Sequence, residues 1–173
     1  MTTIAHVLCT GPSLARTFRR LGTGPIIGVN RAVDHTAIDW LVAGDAITYQ
    51  RIKGLPVHGV CSFNAVLRDV LPPTWSKLAR VAWEDLPHGP VQAQWGIEAA
   101  CLLARHLTPP GEHLDILIFG CDRDANRAAD WDGTPPVDDR SADRFAREAD
   151  DMARTVAHLE STTRTRVSRI LPP

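Results

Sequence analysis

The sequence predicts an α/β fold, a single-domain, mostly parallel, doubly wound (Rossmann-like) sheet flanked by helices. Short apolar runs alternate with longer segments of helical periodicity along the whole chain, and this alternation is typical of β-α-β units. The run from Leu114 to Phe119 is almost entirely apolar, as expected for a central parallel strand that is covered on both faces. A length of 173 residues predicts one domain spanning residues 1–173.

Seven short segments are predicted strands because they are rich in apolar residues and are bounded by glycine, proline or polar residues. They comprise residues 4–9, 25–29, 39–43, 56–61, 80–83, 114–119 and 167–171. The segments at 56–61 and 80–83 carry the weaker pattern.

Helices are predicted between these strands, over residues 14–21, 32–36 (a single turn), 46–53 and 91–107. Pro109-Pro110-Gly111 ends the helix at 91–107. Ser141 is the predicted N-cap of a last, long helix. Its apolar residues recur every three or four positions and form one stripe, made of Phe145, Ala149, Met152, Val156 and Leu159.

Composition excludes several classes of protein. The net charge is −1 and the pI is about 6.6, so a broad nucleic-acid-binding surface is not expected. No apolar run approaches the ~20 residues that a membrane span needs. The four cysteines form no C-x-x-C pair, which argues against a zinc ribbon or a disulfide-rich module. The first residues lack a signal-peptide pattern, so a cytoplasmic protein is expected.

Ligands of open parallel sheets bind outside the carboxyl ends of the strands, so the residues that follow each strand are the candidates. Thr10, Gly11, Pro12 and Ser13 follow the first strand. A glycine lets a ligand approach the backbone, and the N–H groups at the next helix start favour an anion such as phosphate. The segment is neither G-x-G-x-x-G nor a P-loop. The alternative interpretation is a tight turn in which Ser13 caps the helix.

Asn30 and Arg31 follow the second strand. Asparagine can recognise a base or ribose edge and arginine can hold a phosphate; the alternative is a turn residue and a surface cation. Asp45 follows the third strand and could bind a divalent metal, orient a hydroxyl or act as a base. Its alternative role is to cap the predicted helix at 46–53.

Asp122 and Arg123 follow the most apolar strand, and we predict a functional role for Asp122 beside the crevice and a phosphate-binding role for Arg123. The aspartates farther along this loop are interpreted as solvated surface; they are Asp130, Asp132, Asp138 and Asp139.

His6 lies within the first strand and is predicted to be a core residue. Three other histidines near strand ends are weaker acid–base candidates, namely His35, His58 and His88. No group has the spacing of a structural zinc site, so no metal ligands are predicted.

Several of these segments, in this order, resemble bacterial lipooligosaccharide sialyltransferases and the related 6-hydroxymethylpterin diphosphokinase-like family. Thr10-Gly11-Pro12-Ser13-Leu14 is similar to their G-N-G-P-S-L signature, and Gly28 to Ala32 is similar to the segment whose asparagine contacts the nucleotide. The segment from Asp39 to Asp45 looks like the P-D-Y-L-V-x-x-D of the diphosphokinase-like branch. Ile116 to Asp122 resembles the I-x-L-x-G-x-D strand.

The resemblance implies a nucleotide-binding cleft and, in the sialyltransferases, sugar transfer without a metal. The sequence departs from the family at three places. Thr10 replaces the asparagine of G-N-G, and Gln92-Ala93-Gln94-Trp95-Gly96 keeps only the glycine of a phosphate-holding threonine-serine-glycine segment. No histidine lies between Asp122 and Ser141, where sialyltransferases carry a catalytic base. Nucleotide binding, to which Gly96 would contribute, therefore carries over better than sialyl transfer does.

Three functions follow from this interpretation. The first is a glycosyltransferase-like enzyme with a nucleotide-activated donor, for which a CMP-sugar is a candidate and no cofactor is required; Asp122 or Asp45 would orient or deprotonate the acceptor. The second is diphosphate transfer with Mg²⁺ on carboxylates such as these. The third is a binding module without catalysis. The expected partner is a small nucleotide ligand, and a homo-oligomer is compatible with the sequence.

Overall fold

The computed structural model describes residues 2–43, 57, 59–62, 79–82, 86, 96–122, 132–133 and 142–172. These residues form a seven-stranded sheet in which every neighbouring pair of strands is parallel. The strands are β1 (Thr2–Leu8), β2 (Ile26–Val29), β3 (Trp40–Ala43), β4 (Gly59–Ser62), β5 (Ala79–Ala82), β6 (His113–Phe119) and β7 (Thr165–Arg169).

The strand order is β5-β4-β3-β2-β1-β6-β7. From β1 the chain adds strands on one side as far as β5, and then crosses back to place β6 on the other side of β1. The order therefore reverses between β1 and β6, and the loops after these two strands leave the sheet toward opposite sides. Such a switch point opens a crevice at the carboxyl edge of a doubly wound sheet.

The described helices are α1 (Leu14–Thr17), α2 (Gly96–Leu107) and α3 (Ala142–Thr162), together with 3-10 turns at Phe18–Arg20 and Asn30–Asp34. Side chains of α2 and α3 pack on one face of the sheet against Val7, Ile116 and their neighbours. Residues of α1 and the two turns pack on the other face, around Leu8 and Phe119. The sheet is thus covered on both faces, as the apolar character of β6 predicts.

The predicted fold class is confirmed, and the boundaries of its elements differ in detail. β1 begins at Thr2 because its register with β6 starts there, at the pair Thr2 and His113. β2 begins at Ile26, one residue after Pro25, which has no N–H to donate to a ladder. The predicted helix at 46–53, the start of the helix at 91–95, the cap Ser141 and the side chain of Phe145 lie outside the described residues. The single-domain assignment stays a prediction.

The prediction for His6 is confirmed: it is a core residue of β1 and only 1% of its surface is exposed. Its Nε2 accepts a hydrogen bond from the N–H of Gly22 at 3.1 Å, and its ring lies against Phe119. Burial lowers the pKa of His6, which favours the neutral ring that this hydrogen bond requires. Among the described helices, none is long and apolar enough to cross a membrane.

Candidate functional site

The candidate site lies where the loops after β1 and β6 meet, at the switch point of the sheet. The two loops continue the strand pairing for a short distance. The N–H of Cys9 donates to the carbonyl of Phe119 at 2.8 Å, and the N–H of Gly11 donates to the carbonyl of Gly120 at 2.9 Å. Beyond this point the backbones separate, and a side chain makes the next connection.

That side chain is Asp122. Its Oδ2 accepts a hydrogen bond from the N–H of Ser13 at 2.7 Å, so a carboxylate of the β6 loop holds the start of α1. Charge-assisted hydrogen bonds of this length are stronger than neutral ones. No further hydrogen bond of Asp122 is found in the part of the chain that the structure describes, and the side chain is half-buried. One carboxylate oxygen therefore fixes the loop, and Oδ1 is left for contact with a ligand.

Two glycines make this close approach feasible. A Cβ on Gly11 would overlap the carbonyl of Gly120 and the carboxylate of Asp122, and would lie 2.8 Å from the Asp122 Cβ. Gly120 has a φ of +66°, and a Cβ there would lie 2.8 Å from both the carbonyl oxygen of Cys9 and the Cβ of Leu14. Any larger residue would therefore force the loops apart.

The backbone N–H groups that were expected to bind phosphate already donate hydrogen bonds to other groups of the protein. The N–H groups of Gly11, Ser13 and Leu14 donate to Gly120, Asp122 and the carbonyl of Gly11, respectively. Ser13 occupies the N-cap position, but its hydroxyl makes no capping hydrogen bond. A phosphate would reach the Ser13 N–H only by displacing Asp122. Thr10 is half-buried and Pro12 is exposed at the same loop.

Asn30 lies at the carboxyl end of β2 with a φ of 53°. This left-handed conformation is uncommon for residues other than glycine, although asparagine tolerates it best among them. Strained backbone of this kind is concentrated at binding sites. The side chain is half-buried and makes no hydrogen bond to any residue that the structure describes.

Arg31, the next residue, is 8% exposed and pairs with two carboxylates among the residues that the structure describes. Its Nε lies 3.3 Å from Oδ2 of Asp34, and its Nη2 lies 2.6 Å from Oδ2 of Asp132. Burial by itself lowers the pKa of Arg31, but the hydrogen bonds and charges of Asp132 and Asp34 raise it further, and the net pKa lies above its usual value. Arg31 therefore carries a fixed positive charge whose partners come from this chain.

Asp132 and Asp34 are ion-pair partners of Arg31 that the sequence analysis did not predict. The sequence predicts Asp132 as solvated surface, and the residue is exposed, but its carboxylate also pairs with an arginine 101 positions earlier in the chain. Asp34 gave a weak signal, since an arginine and an aspartate three residues apart can pair within one turn.

Glu98 is a buried carboxylate that the sequence patterns did not indicate as a site residue. It lies in the first turn of α2 and is fully buried, and the start of a helix that leads into a parallel strand lies at the carboxyl edge of the sheet. A buried carboxylate there is a candidate for contact with the same ligand. The signal in the sequence is that Glu98 is a charged residue within a mostly apolar helical segment.

The other predicted residues are less informative. Gly96 is the first residue of α2 and is half-buried. His35 packs edge-on against the ring of Phe18, with 4.5 Å between ring centroids, and burial lowers its pKa. Asp45, Arg123, His58 and His88 lie outside the described residues. Within the described ranges, no cluster of three histidine, cysteine or acidic residues could hold a metal ion.

Solved structures of one enzyme share this fold. The first is the sialyltransferase CstII in complex with a trisaccharide acceptor and CMP, with 12% identity, a TM-score of 0.57, and coverage of 98% of this chain and 82% of that chain. The second is CstII from Campylobacter jejuni in complex with the substrate analogue CMP-3FNeuAc, with 12% identity, a TM-score of 0.54, and coverage of 99% and 82%. This chain therefore has a sialyltransferase-like fold. The likeness to the diphosphokinase-like branch finds no support in these structures. No protein-family model and no curated protein matches the sequence.

We predict that Gly11→Ala disrupts the junction of the two loops. The added methyl group overlaps the Asp122 carboxylate and the Gly120 carbonyl, and the strain should lower the free energy of unfolding by about 1–3 kcal/mol. Chemical denaturation measures this difference. Gly22→Ala is the matched control, because the nearest atom to its new Cβ is Nε2 of His6, at 3.7 Å. Equal stabilities of the two variants would contradict the close approach described here.

Proposed function

We propose that this chain is a nucleotide-binding, glycosyltransferase-like protein that uses a nucleotide-activated donor, for which a CMP-sugar is the leading candidate. The observation that carries the proposal is the Asp122–Ser13 junction, which builds a fixed loop pair at the switch point of the sheet. The fold shared with CstII, which was solved with CMP and with a CMP-sugar analogue, supports the choice of nucleotide.

In this proposal the residues after β1 and β2 bind the nucleotide. The Asn30 amide offers both a donor and an acceptor to a base or ribose. Arg31 supplies positive charge near the leaving phosphate, and the phosphate lies beside the backbone of Thr10 to Ser13 and of Gly96 without taking the Ser13 N–H, which stays on Asp122. Charge stabilisation of the departing nucleotide is the main requirement of such a reaction.

The two carboxylate oxygens of Asp122 have different roles in the proposed reaction. Oδ2 positions the β1 loop, and Oδ1 accepts the proton of an acceptor hydroxyl. The hydroxyl oxygen then bonds to the anomeric carbon as the bond from that carbon to the nucleotide phosphate breaks, and the electron pair leaves with the phosphate. Asp45 and Arg123 keep the roles that the sequence assigns them, as a second acceptor-binding carboxylate and a second phosphate-binding cation.

Binding without catalysis is the second candidate. It is favoured by the engagement of Asp122 and Arg31, since Asp122 holds the Ser13 N–H and Arg31 pairs with Asp34 and Asp132. Residues 123–140 also contain no histidine to act as a base. Release of CMP from a CMP-sugar that is lost in a folded Asp122→Ala variant would establish transfer chemistry. Tight binding with no release would establish the binding module.

We predict that CMP stabilises the protein through Asn30. CMP at one hundred times its Kd should add about 2.7 kcal/mol to the free energy of unfolding, which thermal denaturation detects. Asn30→Gly removes the side-chain amide and keeps the left-handed backbone accessible, so the ligand-free Tm should change little while the stabilisation by CMP falls. If no nucleotide shifts the Tm of the wild type, or if CMP stabilises both proteins equally, the proposed site is wrong.

We also predict that Asp132→Asn strengthens CMP binding. The Asp132 carboxylate pairs with Nη2 of Arg31, the group expected to face the phosphate. Because this carboxylate is partly exposed, its ion pair with Arg31 is weak and competes only weakly with a phosphate for the guanidinium. Its removal should tighten CMP binding by up to about fivefold, as measured by calorimetric titration. Asp115→Asn makes the same charge change in β6, away from the carboxyl edge, and should have no effect. Weaker binding by Asp132→Asn would instead indicate that Asp132 contacts the ligand.

A further inference from the structure

A second cavity opens beside the candidate site, between α3 and the strands β6 and β7. Its volume is about 320 Å³. Cys121, the neighbour of Asp122, lies on its wall, as do Ile118 and Arg169 from the carboxyl ends of the two strands. Ile118 and Arg169 are register partners in the sheet, and paired positions on neighbouring strands place their side chains on the same face.

The cavity lies along a side of α3 whose residues are only partly buried. Leu159, near the carboxyl end of the helix, is fully buried, whereas Met152 and Val156 are only half-buried. Farther toward the start of the helix, Ala149 and Ala153 are exposed. Thr155, in the middle of the helix, is fully buried, so the helix packs there, and the cavity lies along the side of α3 that carries the small residues Ala149 and Ala153.

The lining combines apolar walls with one cation. Ile118 and Val167 form the wall on the sheet side, and Met152 and Val156 form the wall on the helix side. Arg169 is exposed at the open end, and it forms no ion pair with any residue in the described ranges. An apolar cavity with a single charge at its opening is complementary to an apolar chain that carries one group of opposite charge.

We propose that this cavity binds a small soluble amphiphile: a short apolar chain or ring buried between α3 and β6–β7, with a phosphate or carboxylate on the guanidinium of Arg169. The volume lies at the lower end of the range for small-molecule sites, so one short chain fits. Arginine holds such anions with two parallel hydrogen bonds. The proposal does not depend on nucleotide binding, because Arg169 and the apolar side chains of α3, β6 and β7 that carry it are not among the proposed nucleotide contacts.

Octyl phosphate is the probe that tests the proposal, with octyl glucoside as the ligand control, since it has the same chain and an uncharged head. Calorimetric titration below the micelle concentration should show binding of octyl phosphate about tenfold tighter than that of octyl glucoside. Hexyl phosphate, which buries two fewer methylene groups, should bind about tenfold more weakly than octyl phosphate. Equal binding of the charged and uncharged ligands, or no binding of either, would overturn the proposal.

Variants of this chain locate the site. Arg169→Gln should remove the preference for octyl phosphate and leave the binding of octyl glucoside unchanged. Arg166→Gln is its control, an exposed arginine of the same strand whose odd-numbered separation places it on the other face of the sheet. If Arg166→Gln loses the preference and Arg169→Gln keeps it, the assigned anion contact is wrong.

Filling the cavity is the second structural test. Ala149→Trp adds bulk at an exposed position that lines the cavity, so the fold should persist and both octyl ligands should lose binding. Ala157→Trp makes the same change at another exposed position of α3, away from the lining, and should bind as the wild type does. Unchanged binding by a folded Ala149→Trp variant would overturn the location.

The lipids of a membrane also combine apolar chains with anionic head groups, so a membrane surface is the competing ligand. Vesicles that contain phosphatidic acid should leave the protein in the supernatant on sedimentation, because the cavity accepts one short chain rather than a lipid surface. Co-sedimentation that Arg169→Gln abolishes would overturn the assignment to a small soluble ligand.

Discussion

The hydrogen bond from the Ser13 N–H to the Asp122 carboxylate is the interaction on which the rest of the site depends. β1 and β6 are neighbours in the sheet, but the loops that follow them leave toward opposite sides. After the backbone bonds at Cys9 and Gly11, only this side chain keeps the loops together in the described part of the chain. The absence of a side chain at Gly11 is its precondition, because any Cβ there would occupy the space of the carboxylate.

The electrostatics of the site follow from a second set of contacts. Arg31 is buried and has a raised pKa, so it stays charged over the physiological range and needs anionic partners. Asp34 comes from the same turn and Asp132 from a distant loop. In the proposed function, an anionic ligand would enter by exchange, replacing the more exposed carboxylate while the buried one stays in place. This exchange links ligand affinity to the placement of the loop that carries Asp132.

The sequence predicts the fold well because the alternation of strands and helices is a local property. Each apolar run from β1 to β7 corresponds to a described strand, with ends that differ by up to three residues. Asp122 lies at the switch point, and this position follows from the chain order alone, because the residue comes directly after the most apolar strand. Its functional role, like those of Asn30 and Arg31, stays a prediction.

Long-range partners could not be predicted in the same way. The pairing of Arg31 with Asp132 joins residues 101 positions apart, and it depends on how two loops approach each other in space. The contact of Asp122 with a backbone N–H that was expected to bind phosphate depends on the same approach. The cavity beside Arg169 forms between α3 and the strands β6 and β7, and an apolar stripe with helical spacing does not specify how closely a helix packs on a sheet.

The central claim is that the nucleotide binds at the loops after β1 and β2, beside the junction of the β1 and β6 loops. Titration of CMP into isotope-labelled protein, followed by NMR chemical shifts of the backbone amides, tests this claim directly. The account predicts the largest shift changes at residues 10–13, 30–34 and 120–122. Changes confined to the opposite edge of the sheet, at residues 105–111 and 161–164, would contradict it.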